Sequence, residues 1–189
     1  MKLIVYLFSL FSILSYSQKK DCEYFFEEKT DSTAIKVLPE KLVYERVFGN
    51  SKDLVQFTLL NNNGVPTIGV QVLQKSSLFI PALCLDSKSK IIFQLENGKI
   101  VTLLSTNKEV CSSLGYDEIE KSNIRVLSGY FVFTRNNYDQ LKKSPISLMR
   151  IQFVGENKDY SLKKEINSEA LNTTHYPSTI FMEHLKCIE

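Results

Sequence analysis

The sequence predicts a mainly β fold, an antiparallel sheet arranged as a sandwich or open barrel, with an α+β arrangement as the alternative class. Three observations carry this expectation. Apolar and polar residues alternate with period two, as at Ile68, Val70 and Val72 with Gly69 and Gln71 between them, the pattern of a strand with one dry side. Asn-Gly pairs stand between apolar runs, where a hairpin turn needs residues that accept positive φ. Helical spacing is confined to two short segments, near 136–143 and near 178–188.

The elements follow in chain order. An apolar run from Leu54 to Leu60 meets Asn61-Asn62-Asn63-Gly64, and a second run goes from Thr67 to Leu73, predicting a hairpin with a loop of a few residues. Ile91 to Leu95 and Ile100 to Leu104 flank Asn97-Gly98. A two-residue type I′ turn there sets Glu96 opposite Lys99 and Leu95 opposite Ile100. Ile91, Phe93, Leu95, Ile100 and Leu104 then share the face expected to enter the core. Ser105 to Asn123 is polar, with an acidic cluster at Asp117-Glu118-Ile119-Glu120 that suits a solvated surface or a helix first turn. Ile124 to Thr134 resumes the strand pattern, and Ser128-Gly129 inside it suggests a bulge. Asn136 or Asn137 suits the cap of a short helix through Lys143, which Ser144-Pro145 stops. Ile146 to Val154 reverses at Gly155-Glu156-Asn157-Lys158 into Tyr160-Ser161-Leu162. From Ser178, just after Pro177, the residues Ile180, Phe181, His184, Leu185 and Ile188 recur at three- and four-residue spacings, predicting a helix with one apolar face.

The N-terminus has a different character. Lys2 precedes an apolar run from Leu3 to Leu14 and the small, polar Ser15-Tyr16-Ser17, the layout of a cleavable secretory signal. Twelve helical residues rise only about 18 Å, short of the roughly 30 Å apolar slab of a bilayer. Cleavage is expected between Ser17 and Gln18, making residues 1–17 a signal peptide and 18–189 a single β-rich globular domain, periplasmic or secreted. Lys20-Asp21 before Cys22 is no lipidation motif, and no transmembrane segment is expected after cleavage. Apolar residues make up 43% of the 189-residue chain, enough for a real core. Loss of Lys2 lowers the formal charge from +2 to +1, and the basic residues are dispersed, so no nucleic-acid partner is expected.

Cys22, Cys84, Cys111 and Cys187 all lie beyond the signal, and an exported compartment permits oxidation. Four cysteines allow three pairings, and free buried thiols are the other possibility. The register of the hairpin at Asn97-Gly98 places Cys84 opposite Cys111, at a hydrogen-bonded position by parity with Glu96 and Lys99. That pairing leaves Cys22 and Cys187 to join the two ends of the domain.

Sites of chemistry are sparse. No Cys-x-x-Cys, Gly-x-Ser-x-Gly or Gly-rich phosphate loop occurs, and no cofactor is expected. His184-x-x-Cys187 shares a helix face and forms the one local hint of a metal pair, with His175 and Cys22 as distant completions; two ligands do not make a site. Only His175 and His184 offer an imidazole base. Carboxylates at Glu27, Glu28, Asp117, Glu118 and Glu120 lie in polar stretches. Asn172-Thr173-Thr174 matches a glycosylation acceptor, a motif that recurs by chance and carries meaning only in some hosts.

Taken together, the Ser-Tyr-Ser-Gln ending of the signal, the strands about Glu96-Asn97-Gly98-Lys99, Tyr138-x-x-Leu141 leading to Ser144-Pro145-Ile146, Met149-Arg150-Ile151, and the ending His184-Leu185-Lys186-Cys187-Ile188 are similar to small exported proteins of unknown function from Bacteroidetes-type bacteria. The resemblance implies a periplasmic or secreted setting and brings no catalytic residues. The sequence therefore leads to a non-enzymatic exported domain that binds a protein or envelope component. Two alternatives stand beside it: a small hydrolase or metal-dependent enzyme using His184, His175 and nearby carboxylates, and a barrel carrying an apolar ligand.

Overall fold

A computed structural model describes residues 22–134 and 138–189. The signal peptide expected at residues 1–17 and the helix cap expected at Asn136 or Asn137 lie outside the described residues. Fifteen strands follow in the described chain: β1 (Phe26–Lys29), β2 (Ala34–Val37), β3 (Lys41–Phe48), β4 (Ser51–Asn62), β5 (Val65–Ser76), β6 (Cys84–Asp86), β7 (Lys90–Leu95), β8 (Ile100–Ser105), β9 (Glu109–Cys111), β10 (Ser113–Asp117), β11 (Ser122–Phe133), β12 (Ile146–Gln152), β13 (Asn157–Ser161), β14 (Ile166–Asn167) and β15 (Thr174–His175). A single-turn helix α1 (Tyr138–Leu141) precedes β12. The chain closes with a 3₁₀ turn (Pro177–Thr179), α2 (Ile180–His184) and a second 3₁₀ turn (Leu185–Ile188).

Eleven strands form one antiparallel sheet in the order β1-β2-β4-β5-β11-β8-β7-β12-β13, with β3 added along β4 and β10 along β11. Three strands of twelve residues, β4, β5 and β11, make its spine. Each outer spine strand changes partner along its length: β4 pairs first with β3 and then with β2, and β11 first with β10 and then with β8. Register shifts between Leu42 and Tyr44, and between Ile146 and Leu148, mark irregularities of the kind that bend a strand. The sheet curves but does not close by a ladder; at its two sides Tyr44 of β3 and Tyr160 of β13 meet edge to face, 4.9 Å between ring centres.

The inside of the curve is packed rather than hollow. Phe57, Phe93 and Phe181 stand in mutual ring contact, and Phe133 adds an edge-to-face contact with Phe181. Phe181 comes from α2, so the C-terminal helix is the plug of the sheet. Its predicted apolar face is the buried one, with Ile180, Phe181, Leu185 and Ile188 all out of solvent. A helix end leaves carbonyls without partners. Here Tyr138 Oη donates to Leu185 O, Tyr24 Oη to Cys187 O and Asn61 Nδ2 to Ile188 O, at 3.1, 3.0 and 2.8 Å. A smaller cluster of Leu42, Leu54 and Ile166 fills the space under the segment that follows β14. Among the described residues no helix is long and apolar enough to cross a membrane.

The expected hairpin between β4 and β5 is present and turns in two residues, Asn63 and Gly64, both at positive φ, since Asn62 faces Val65. Other local expectations are corrected. The turn at Asn97-Gly98 instead takes three residues. Leu95 N–H donates to Lys99 O and Gly98 N–H to Leu95 O, both at 2.9 Å, and Gly98 alone has positive φ. That is a type I turn with a glycine bulge. Its cause is tertiary: the Glu96 and Asn97 amides donate to Pro145 O and Ser144 Oγ of the neighbouring segment. Gln94 therefore faces Ile100, and the one-residue slip turns β8 over. Val101 and Leu103 enter the core, whereas Ile100 and Leu104 are 55% and 42% exposed. Ser128-Gly129 makes no bulge, because the ladder with β5 runs through it unbroken. The polar stretch after Ser105 contains two strands, β9 and β10, that its composition conceals.

Candidate functional site

The cysteines form two disulfides, Cys84 with Cys111 and Cys22 with Cys187. The first joins β6 and β9, which make a separate two-stranded ribbon. The hairpin that suggested this pair runs one residue out of the expected register. Two residues between Asp86 and Ser89, against three between Ser105 and Glu109, restore the alignment. The Ser112 N–H to Leu83 O bond, 2.8 Å, places the pair at a non-hydrogen-bonded site, not the hydrogen-bonded one expected. The second disulfide ties the first described residue to the C-terminal turn. Cys187 is thus committed to sulfur, and its thiolate is not available to a metal beside His184.

The two histidines do come to one place. β15 carries His175 and α2 carries His184 to the sides of a cleft of about 310 Å³, where Lys41, Thr173 and Glu183 also face in. Thr173 Oγ1 lies 2.8 Å from His175 Nε2. Burial, and then the charge of Lys41, holds the His175 imidazole below its ordinary value against an opposing pull from Glu45, which favours the neutral ring. Glu183 accepts a 2.5 Å hydrogen bond from Thr179 Oγ1 and lies 4.0 Å from His184 Nε2. A hydroxyl on a neutral imidazole is half of a nucleophile–base pair. Among the described residues no three His, Cys, Asp or Glu side chains are grouped to hold a metal ion. Thr173, which lines the same cleft, carries no sequence signal of its own, since the Asn172-Thr173-Thr174 motif points to the neighbouring asparagine.

A second concentration of unusual features lies at the far end of β3 from Lys41. Three turns lie side by side there, ordered by register: Phe48 faces Ser51 across the β3–β4 turn, Ser76 faces Asn123, and Asp117 faces Ser122 across the β10–β11 turn. Ser51 Oγ reaches Ser76 Oγ at 3.3 Å, and Asn123 Nδ2 donates to Leu78 O at 3.2 Å, binding the three turns into one surface. Each projects a large apolar side chain into solvent. Phe48 is 84% exposed, Phe79 81% and Ile119 93%, with Leu78 beside them. One exposed apolar residue is ordinary on a protein surface, whereas several gathered at one end of a sheet mark a place that a partner can cover.

Several polar groups of this end are satisfied from within. Leu78 N–H donates to Ser76 Oγ, and Ile119 and Glu120 N–H donate to Asp117 Oδ1. Lys75 Nζ lies 2.7 Å from Asp117 and 3.0 Å from Glu120. The Glu120 amide and then Lys75 hold the Asp117 carboxyl below its ordinary range, while hydrogen bonds to Asp117 and Glu120 raise the ammonium of Lys75. The acidic cluster is therefore a turn around a lysine, not a helix start. In sequence the signal is an apolar residue in or beside a turn, Phe48 just before Gly49-Asn50 and Ile119 among carboxylates.

Set against family models, characterised proteins and solved structures, the chain matches none of them.

Proposed function

We propose that the protein is an exported, non-enzymatic binding domain that meets a protein or envelope component through the three-turn end of its sheet. The observation that carries this reading is the exposure of Phe48, Phe79 and Ile119 on three adjacent turns at one end of the sheet. Water-exposed aromatic and β-branched tips at neighbouring positions gain free energy only when covered. The two disulfides are compatible with an oxidising, exported environment. The packed interior, filled by Phe57, Phe93 and Phe181, speaks against a carrier of an apolar ligand inside the sheet.

A photo-crosslinking residue placed at Phe79 in the producing cell is expected to give adducts, and one at Val65, at the opposite end of β4 and β5, none. Equal labelling at both positions, or none at Phe79, overturns the reading.

A second reading, a small hydrolase centred on the histidine cleft, is favoured by the 2.8 Å contact between Thr173 and His175 beside His184 and Glu183. Turnover of a broad ester and peptide substrate panel, abolished by His175→Ala or His184→Ala, would establish it in place of the first.

A further inference from the structure

We infer that the covering partner of the three-turn end is a lipid surface, into whose interface Phe48, Phe79 and Ile119 insert. The inference rests on the proposed reading that this end is the contact surface, and it names the partner. Three observations favour lipid over a folded protein. The apolar groups are separate projections from three turns, not a continuous face. A bilayer closes around isolated projections, whereas a protein would need a matching hollow for each.

Three backbone amides at two of the tips are a second reason. Leu78, Ile119 and Glu120 N–H already donate to Ser76 and Asp117 side chains. Entry into a region poor in water then leaves none of these donors orphaned. The third reason is charge. Lys52, Lys75, Lys121 and Arg125 stand around this end against Asp117, Glu118 and Glu120; Lys75 is spent on two of those carboxylates, and the Arg125 guanidinium on the Ile80 and Ser112 carbonyls. Attachment is therefore by apolar partition, indifferent to lipid charge and to salt, unlike the binding of a basic patch to anionic headgroups.

The chain has no tryptophan, so Phe79→Trp introduces a single indole, excited selectively at wavelengths where the nine tyrosines do not absorb. The full chain, purified with both disulfides formed, is mixed with phosphatidylcholine vesicles. The expected result is a blue shift for Phe79→Trp and none for Val65→Trp. Co-sedimentation of the unaltered protein should be the same at low and high salt, and should fall at least about tenfold in the triple variant Phe48→Ser, Phe79→Ser, Ile119→Ser. These side chains are solvent-exposed, so the variant keeps the unaltered denaturation midpoint, which checks that it folds. No shift at position 79, equal shifts at 79 and 65, or binding that needs anionic lipid and disappears with salt would overturn the inference. Protein adducts from the position-79 crosslinker without any vesicle shift would sink the lipid partner while leaving the proposed contact surface standing.

Discussion

At the scale of single residues, Gly129 shows why a glycine can sit in the middle of a twelve-residue strand. A Cβ built there would lie 2.4 Å from Leu85 Cδ1 and 3.0 Å from Asn107 Nδ2. Leu85 is buried in the core, and Asn107 Nδ2 is bonded to Ser105 Oγ and Tyr130 O, so neither neighbour can retreat freely. The β6–β9 ribbon crosses the sheet at this point because the side chain is missing. Gly129→Ala should therefore cost about 1–3 kcal/mol of stability by overpacking. Gly115→Ala, whose nearest foreign atom is Ile124 O at 3.9 Å, should cost far less. Urea midpoints of the two variants decide it, and equal midpoints would refute the packing account. The sequence marked Gly129 as unusual but suggested a bulge, because nothing within ten residues reveals a ribbon crossing overhead.

At the scale of elements, the turns were the most legible feature and their details the least. Asn63-Gly64 and Gly98 take the positive φ that Asn-Gly implies. Yet the choice between two- and three-residue turns at Asn97-Gly98 came from Ser144 and Pro145, some fifty residues away. The β10–β11 turn yields a prediction of its own. Asp117 titrates below its ordinary 3.8, so folding binds the ionised carboxylate more strongly than the unfolded chain does. Its contribution is complete above pH 3.8 and is lost as the pH falls through the lower folded value. Lys75→Met should raise the Asp117 pKa only part-way, since the Glu120 amide remains, and should speed amide exchange at Ile119 and Glu120. An NMR titration with hydrogen exchange reads both, and an unchanged Asp117 titration would dismiss the pairing.

At the scale of the whole molecule, the C-terminal plug and the Cys22–Cys187 bond act together. The bond joins residues 165 apart, against 27 for Cys84–Cys111. In the chain-entropy model these closures stabilise by about 5 and about 3 to 4 kcal/mol respectively. Replacing Cys22 and Cys187 by serine should therefore lower the urea midpoint more than replacing Cys84 and Cys111. The same change should loosen Phe181 from its place against Phe57 and Phe93. The reverse order of midpoints would show that the ribbon, not the plug, governs global stability. Both histidines were named from sequence, but their meeting in one cleft, with Thr173, depends on the hairpin of β14 and β15 lying beside α2.

The sequence by itself determined the fold class, the antiparallel hairpins, the buried face of the C-terminal helix and the candidate histidines, because periodicity and turn chemistry act over a few residues. Only the tertiary structure decided which face β8 turns inward, how the curved sheet is plugged, and that three turns bring Phe48, Phe79 and Ile119 to one end. Those outcomes depend on pairings between segments far apart in the chain, and local pattern carries no information about which distant strand will lie alongside.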